Sequence, residues 1–178
     1  MITVTEAFRK FRSRLELTQK EQSDASRRQQ DIRELLAQHL AREDCFLSGS
    51  YARWTKTKPL KDVDIMYVLH EDERAKYRTN QQPTKILNEV ERILAKEYGG
   101  ENVRQQRRSV SVKFAVQGEE ERVMSFDVVP AFAKGDNYEI PDKSSAKGWT
   151  ETNPKTHAKK ATDANDGFDG QWKGMVRM

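Results

Sequence analysis

Two aspartates, Asp62 and Asp64, stand at the head of an otherwise apolar run, Ile65-Met66-Tyr67-Val68-Leu69. The alternation Asp-Val-Asp-Ile predicts a β-strand, whose successive side chains point to opposite faces. Asp62 and Asp64 then share a face, with Cα atoms roughly 6.6 Å apart at about 3.3 Å rise per residue. Val63 and Ile65 point the other way, into a core. Carboxylates that close repel, by about 3 kcal/mol at ~5 Å and an effective dielectric near 20. Such a pair persists when it is fully solvated, shares a proton or holds a divalent cation. Hard oxygen ligands at this spacing suit Mg²⁺ or Mn²⁺.

Upstream, a short apolar run (Cys45, Phe46, Leu47) ends in Ser48-Gly49-Ser50, and eleven residues separate Ser50 from Asp62. A glycine between a strand and a short helical turn lets a phosphate approach the backbone. The N–H groups of that turn, with the Ser50 hydroxyl, can hold the phosphate. A phosphate cradle beside an acidic pair equips a chain for metal-assisted phosphoryl or nucleotidyl transfer. A third acid, Asp127, stands among apolar neighbours in Ser125-Phe126-Asp127-Val128-Val129. Burying it is costly unless it is paired or metal-bound; otherwise it is an edge-strand acid facing water.

Gly-Ser, a gap of about a dozen residues and an Asp-x-Asp flanked by apolar residues resemble the polymerase-β-type nucleotidyltransferases. The fuller stretch SGSYARWTKTKPLKDVDI is similar to the bacterial relatives of cyclic GMP-AMP synthase, the oligonucleotide cyclases of anti-phage signalling systems. SVSVKF, FDVVPAF and the Trp149…TNPKTH segment extend the resemblance from near residue 5 to residue 178. It implies that Asp62, Asp64 and Asp127 are catalytic and hold two Mg²⁺ or Mn²⁺ ions. It also implies that Gly49, Ser50, Arg53 and Thr55 bind the nucleoside triphosphate. The product implied is a cyclic di- or trinucleotide messenger that switches on an effector protein, with regulatory proteins of the same defence operon as partners. The family continues into an all-helical lobe. The expectation is therefore a long N-terminal helix (1–43), a catalytic core (44–150) and the start of a truncated helical lobe (151–178), the remainder lost or supplied by another chain.

Two other functions compete: nucleotidyl transfer to tRNA, a protein or a small molecule, and nucleotide or RNA binding without turnover.

Bulk properties narrow the classes. Of the 178 residues 35% are hydrophobic and 34% charged, and the excess of 32 basic over 28 acidic side chains fits anionic partners or simply a well-solvated surface. Cys45 is the single cysteine, which excludes an internal disulfide and fits a reducing, cytoplasmic setting. His39, His70 and His157 have no zinc-like spacing. No stretch has the ~18 apolar residues of a membrane span.

Along the chain, Phe8, Phe11, Leu15, Ile32, Leu35, Leu36 and Leu40 predict one long helix over 5–41, crossing the surface or bending in its polar middle. Lys56, Lys58 and Lys61 suit phosphate contact and loop solubility equally. Residues 70–82 read as irregular, and Pro83–Tyr98 as an amphipathic helix capped near Gln82 or Thr84, lying opposite the acids. Residues 102–117 read as one strand, with Ser109, Ser111 and Lys113 on its polar side. It turns at 118–121 into a partner strand over 122–129. After Pro130 the chain reads as a loop with a short strand at Tyr138–Ile140. Trp149 serves as a plug against the core or as a base contact, Asn153-Pro154 opens a helix, and Trp172, Met175 and Val176 make an apolar stripe. The fold class expected is α+β, a mixed twisted sheet with helices on one face and the acids on the other.

Overall fold

Thr3 and Thr18 each open a helix with a reciprocal capping box, α1 (Val4–Leu15) closing on Glu6 and α2 (Gln19–Ala37) on Glu21. The computed structural model describes residues 2–53, 55–57, 60–78, 82–116, 119–168 and 170. The long N-terminal helical stretch is thus present in two pieces, because the second capping box interrupts it at Glu16–Thr18. Helix α2 buries Ala25, Ile32 and Leu36 in the core. On α1, Phe8 and Phe11 are 56% and 45% exposed, so the apolar spacing there does not carry them into the core.

The core is a mixed sheet of β1 (Arg42–Ser48), β2 (Asp62–Leu69), β3 (Val103–Gln105), β4 (Val110–Val116), β5 (Glu119–Lys134), β6 (Asn137–Pro141) and β7 (Trp149–Thr152). The order is β1-β2-β5-β4-β3, with β6 on the far end of β5 and β7 beyond it. Strands β2 and β5 run parallel; the other pairs are antiparallel. Helices α3 (Gly49–Ala52), α4 (Arg74–Tyr77), α5 (Thr84–Tyr98) and α6 (Pro154–Gly167) complete the fold.

Period-two alternation sorts the sheet into two faces. Val63, Ile65, Tyr67 and Leu69 of β2, with Phe126, Val128 and Phe132 of β5, meet Ile32 and Leu36 of α2 and Ile86, Leu87, Val90, Ile93 and Leu94 of α5. The acids lie on the opposite face, above a smaller apolar cluster of Met66, Val68, Ala131, Tyr138 and Ile140. Helix α5 therefore covers the face expected of it, although it opens at Thr84 without a side-chain cap.

Three sequence expectations change. The single strand over 102–117 is a hairpin, β3 and β4, because Gln106–Ser109 turns and Gln106 N–H donates to the Ser109 carbonyl at 2.8 Å. The chain after Pro130 does not loosen: β5 continues to Lys134. Pro130 is tolerated because, followed along β5, the pairing with β4 stops at Val128 and the pairing with β6 starts at Phe132, which leaves that edge unladdered at the proline. Residues 70–82 contain α4, where Tyr77 is buried and Arg74 and Arg78 pair with Glu139. Trp149 plugs the core, its ring 5.9 Å from that of Phe132. Asn153 caps α6 by accepting from the Thr156 N–H at 2.8 Å. Lys58, Gly118 and the stripe at Trp172, Met175 and Val176 lie outside the described residues.

Candidate active site

Strand β2 begins at Asp62 and ends at Leu69, and its register on β5 pairs Asp62 with Ser125 and Asp64 with Asp127. Paired residues on neighbouring strands share a face, about 4.8 Å apart. Asp64 and Asp127 are therefore side by side, with Asp62 next along the same face. On the far side of β5, Ser111 of β4 is paired with Asp127 and Lys113 with Ser125. The polar side of β4 thus continues the acidic face.

Each acid has an identifiable environment. Asp62 Oδ1 accepts from the Ser125 hydroxyl at 2.6 Å. Asp127 Oδ1 accepts from Gln106 Nε2 at 3.3 Å. Burial raises the Asp127 carboxyl above its ordinary value, opposed by the Ser111 hydrogen bond, reinforced by the charge of Asp62 and opposed again by Gln106. Asp64 is raised by burial, then by Asp127 and Asp62, against a smaller opposing effect of Arg53.

Asp64 also meets the turn that ends β1. Gly49 has φ +65°, and a Cβ built there would lie 1.8 Å from Asp64 Oδ2. Only glycine leaves room for that carboxylate. Next to this contact is a cleft of about 400 Å³ lined by Ser50, Thr55, Lys56, Thr57, Leu60, Lys61 and Asp62. Lys56 is 9% exposed and its Nζ lies 3.1 Å from the centre of the Tyr51 ring.

The site residues read from the sequence thus fall into one neighbourhood. Asp62, Asp64, Asp127 and Gly49 meet on one face, Ser50 and Thr55 line the adjoining cleft with Asp62, and Arg53 acts on the charge of Asp64. Lys56 and Lys61, left open by sequence, are in the cleft wall. Ser125 and Gln106 were not anticipated. Ser125 was legible, two residues before Asp127 on the same strand parity. Gln106 was hidden by the unrecognised turn.

Among the described residues no three His, Cys, Asp or Glu side chains close into a ready-made metal cage. Mg²⁺ needs none, because it is commonly held by one or two carboxylates together with water and substrate phosphates. The partly buried, mutually repelling carboxylates of Asp64 and Asp127, with Asp62 beside them, offer the hard oxygen ligands that fit such an ion.

The model of the Second Messenger Oligonucleotide or Dinucleotide Synthetase (SMODS) domain matches residues 1–165. The chain belongs to the SMODS family. One relative, a cyclic AMP-AMP-AMP synthase from an Acinetobacter species, is 31% identical, across 75% of this chain and 37% of its own length. A probable cyclic nucleotide synthase from Bacillus cereus is 24% identical, across 73% of this chain and 46% of its own. The SMODS chain therefore spans less than half the length of both. Its α+β fold is shared with solved CdnC and CdnE structures. Escherichia coli MS115-1 CdnC, solved in complex with HORMA-deltaN, superposes with a TM-score of 0.67 at 19% identity, across 97% of this chain and 53% of that one. Rhodothermus marinus CdnE, a c-UMP-AMP synthase, gives 0.65 at 19% identity, across 98% and 65%. No helix among the described residues is long and apolar enough to cross a membrane.

Proposed function

We propose that this chain carries the nucleotidyl-transfer site of a cyclic oligonucleotide synthase that joins nucleoside triphosphates with two Mg²⁺ or Mn²⁺ ions. One observation carries the reading: Asp64 and Asp127 stand side by side on parallel strands, against a glycine turn with no room for a side chain. Asp62, Asp64 and Asp127 would hold the ions. When bound, the ions would neutralise triphosphate charge and acidify an acceptor hydroxyl. Gly49 keeps the turn bare, so that the Ser50 hydroxyl and the neighbouring backbone can reach the β- and γ-phosphates. Thr55, Lys56 and Lys61 add donors and positive charge to the same cleft. Arg53 favours the ionised form of Asp64. The further length present in the relatives would supply the acceptor side, and the product would act on a separate effector in anti-phage defence.

The test incubates the chain with labelled nucleoside triphosphates and Mg²⁺. Nucleotide binding should require Mg²⁺ and disappear in the folded Asp62→Asn/Asp64→Asn variant; binding indifferent to both would overturn the reading. Where turnover occurs, a nuclease-resistant product supports cyclisation. Label on tRNA or protein reassigns the acceptor.

A further inference from the structure

A buried acid outside the cleft holds the turn between β3 and β4. Asp142, just past β6, is 2% exposed. It accepts from Arg107 Nε and Nη2 at 2.6 and 2.9 Å, and from Arg108 Nε and Nη2 at 3.0 and 2.7 Å. The Ser144 N–H donates to it as well, at 2.9 Å. Five donors exceed the roughly four lone-pair sites of a carboxylate. The backbone repeats the tie, with the Lys143 N–H donating to the Arg107 carbonyl at 3.2 Å.

Both arginines follow Gln106 in the turn. The Gln106 amide oxygen accepts from the Ser109 hydroxyl at 3.1 Å, and its nitrogen is the one that donates to Asp127. Gln106 is exposed, and water could satisfy an exposed amide as well as protein does. Its orientation therefore follows from the turn beneath it. Strand β5 carries Asp127 and, further on, pairs with β6, so the contacts close a ring: β5, β6, Asp142, the turn, Gln106 and β5 again.

We propose that Asp142 is a positioning residue for Asp127: through Arg107 and Arg108 it fixes the turn that presents the Gln106 amide, and so sets how the Asp127 carboxylate is aimed at a divalent ion. The proposal rests on the reading of Asp127 as a metal ligand. Partners hydrogen-bonded to a ligating carboxylate change metal affinity by about 10- to 100-fold when removed.

The test measures Mn²⁺ affinity, by electron paramagnetic resonance, on the full chain with a non-hydrolysable nucleoside triphosphate. Asp127→Asn should lose a Mn²⁺ site; no loss would overturn the underlying reading itself. Gln106→Met and Asp142→Asn should each weaken Mn²⁺ about tenfold. Because they act in series, the double variant should be no weaker than the worse single one. The side-chain amide resonance of Gln106 should also move towards its solvent value in Asp142→Asn. The positioning role fails if Asp127→Asn loses the ion while Gln106→Met binds it as the wild type does, or if the two effects add. Arg108→Ala removes one of Asp142's two arginines at a half-exposed position, so it decides the matter if Asp142→Asn does not fold: Mn²⁺ affinity should weaken in it too, and wild-type affinity there overturns the positioning role.

Discussion

Replacing Gly49 by alanine puts two separable costs on the protein. The first is backbone strain: at φ +65° an L-residue loses about 1–2 kcal/mol. For a chain of this size that lowers Tm by about 2–8 °C. The second is a collision with Asp64 Oδ2 at 1.8 Å, with Asp64 Cγ at 2.8 Å behind it. An ordinary contact starts near 3.4 Å, so the carboxylate must swing away by well over an ångström. A contact made by a charged group contributes about 1.5–3 kcal/mol, or about 10- to 100-fold in Kd. Gly135 provides the control, with φ +58° but open space where its Cβ would lie. Gly135→Ala should lose comparable stability and keep Mg²⁺-dependent nucleotide affinity; Gly49→Ala should lose both. Calorimetric titration with a non-hydrolysable nucleoside triphosphate, beside thermal melts, separates the two costs. Equal nucleotide affinity in Gly49→Ala and Gly135→Ala would refute the link between the glycine turn and the acid.

Three further outcomes are expected. The raised carboxyls of Asp64 and Asp127 mean that the folded, metal-free chain binds protons more readily than the unfolded one. Their contribution to stability therefore falls as pH rises from the ordinary carboxylate value through the raised one. Asp64→Asn should raise Tm in chelator at pH 7, with the gain vanishing below about pH 4; a wild type that melts higher at pH 7 would refute it. Tyr67 donates to the Leu40 carbonyl at 2.8 Å in the core. Tyr67→Phe should cost about 1–2 kcal/mol in urea unfolding by leaving that carbonyl unpaired. Asn153 caps α6 and also donates to the Asp136 carbonyl and the Asn137 side chain. Asn153→Ala should cost about 1–2 kcal/mol in the same assay.

Much of the site could be read locally because its signals are local. Strand parity alone puts Asp62 and Asp64 on one face, and the Asn153-Pro154 pair announces a helix start. Errors arose where the deciding partner was remote. Gln106–Ser109 carries no glycine or proline to mark a turn, and its reversal is held by Asp142, some 35 residues on. Pro130 reads as a strand breaker until the gap between β4 and β6 is known. Phe8 and Phe11 have core spacing, but their helix is separated from α2 by a second capping box.

By itself the amino-acid order determined which residues alternate, where the glycine turn falls and that acids interrupt two apolar strands. Those properties depend on neighbours a few positions apart. Only the tertiary structure decided that β2 and β5 run parallel in the register that sets Asp64 against Asp127, and that Gly49 folds beneath Asp64. Strand partners are chosen by the packing of a whole face against α2 and α5, and no local pattern encodes that choice.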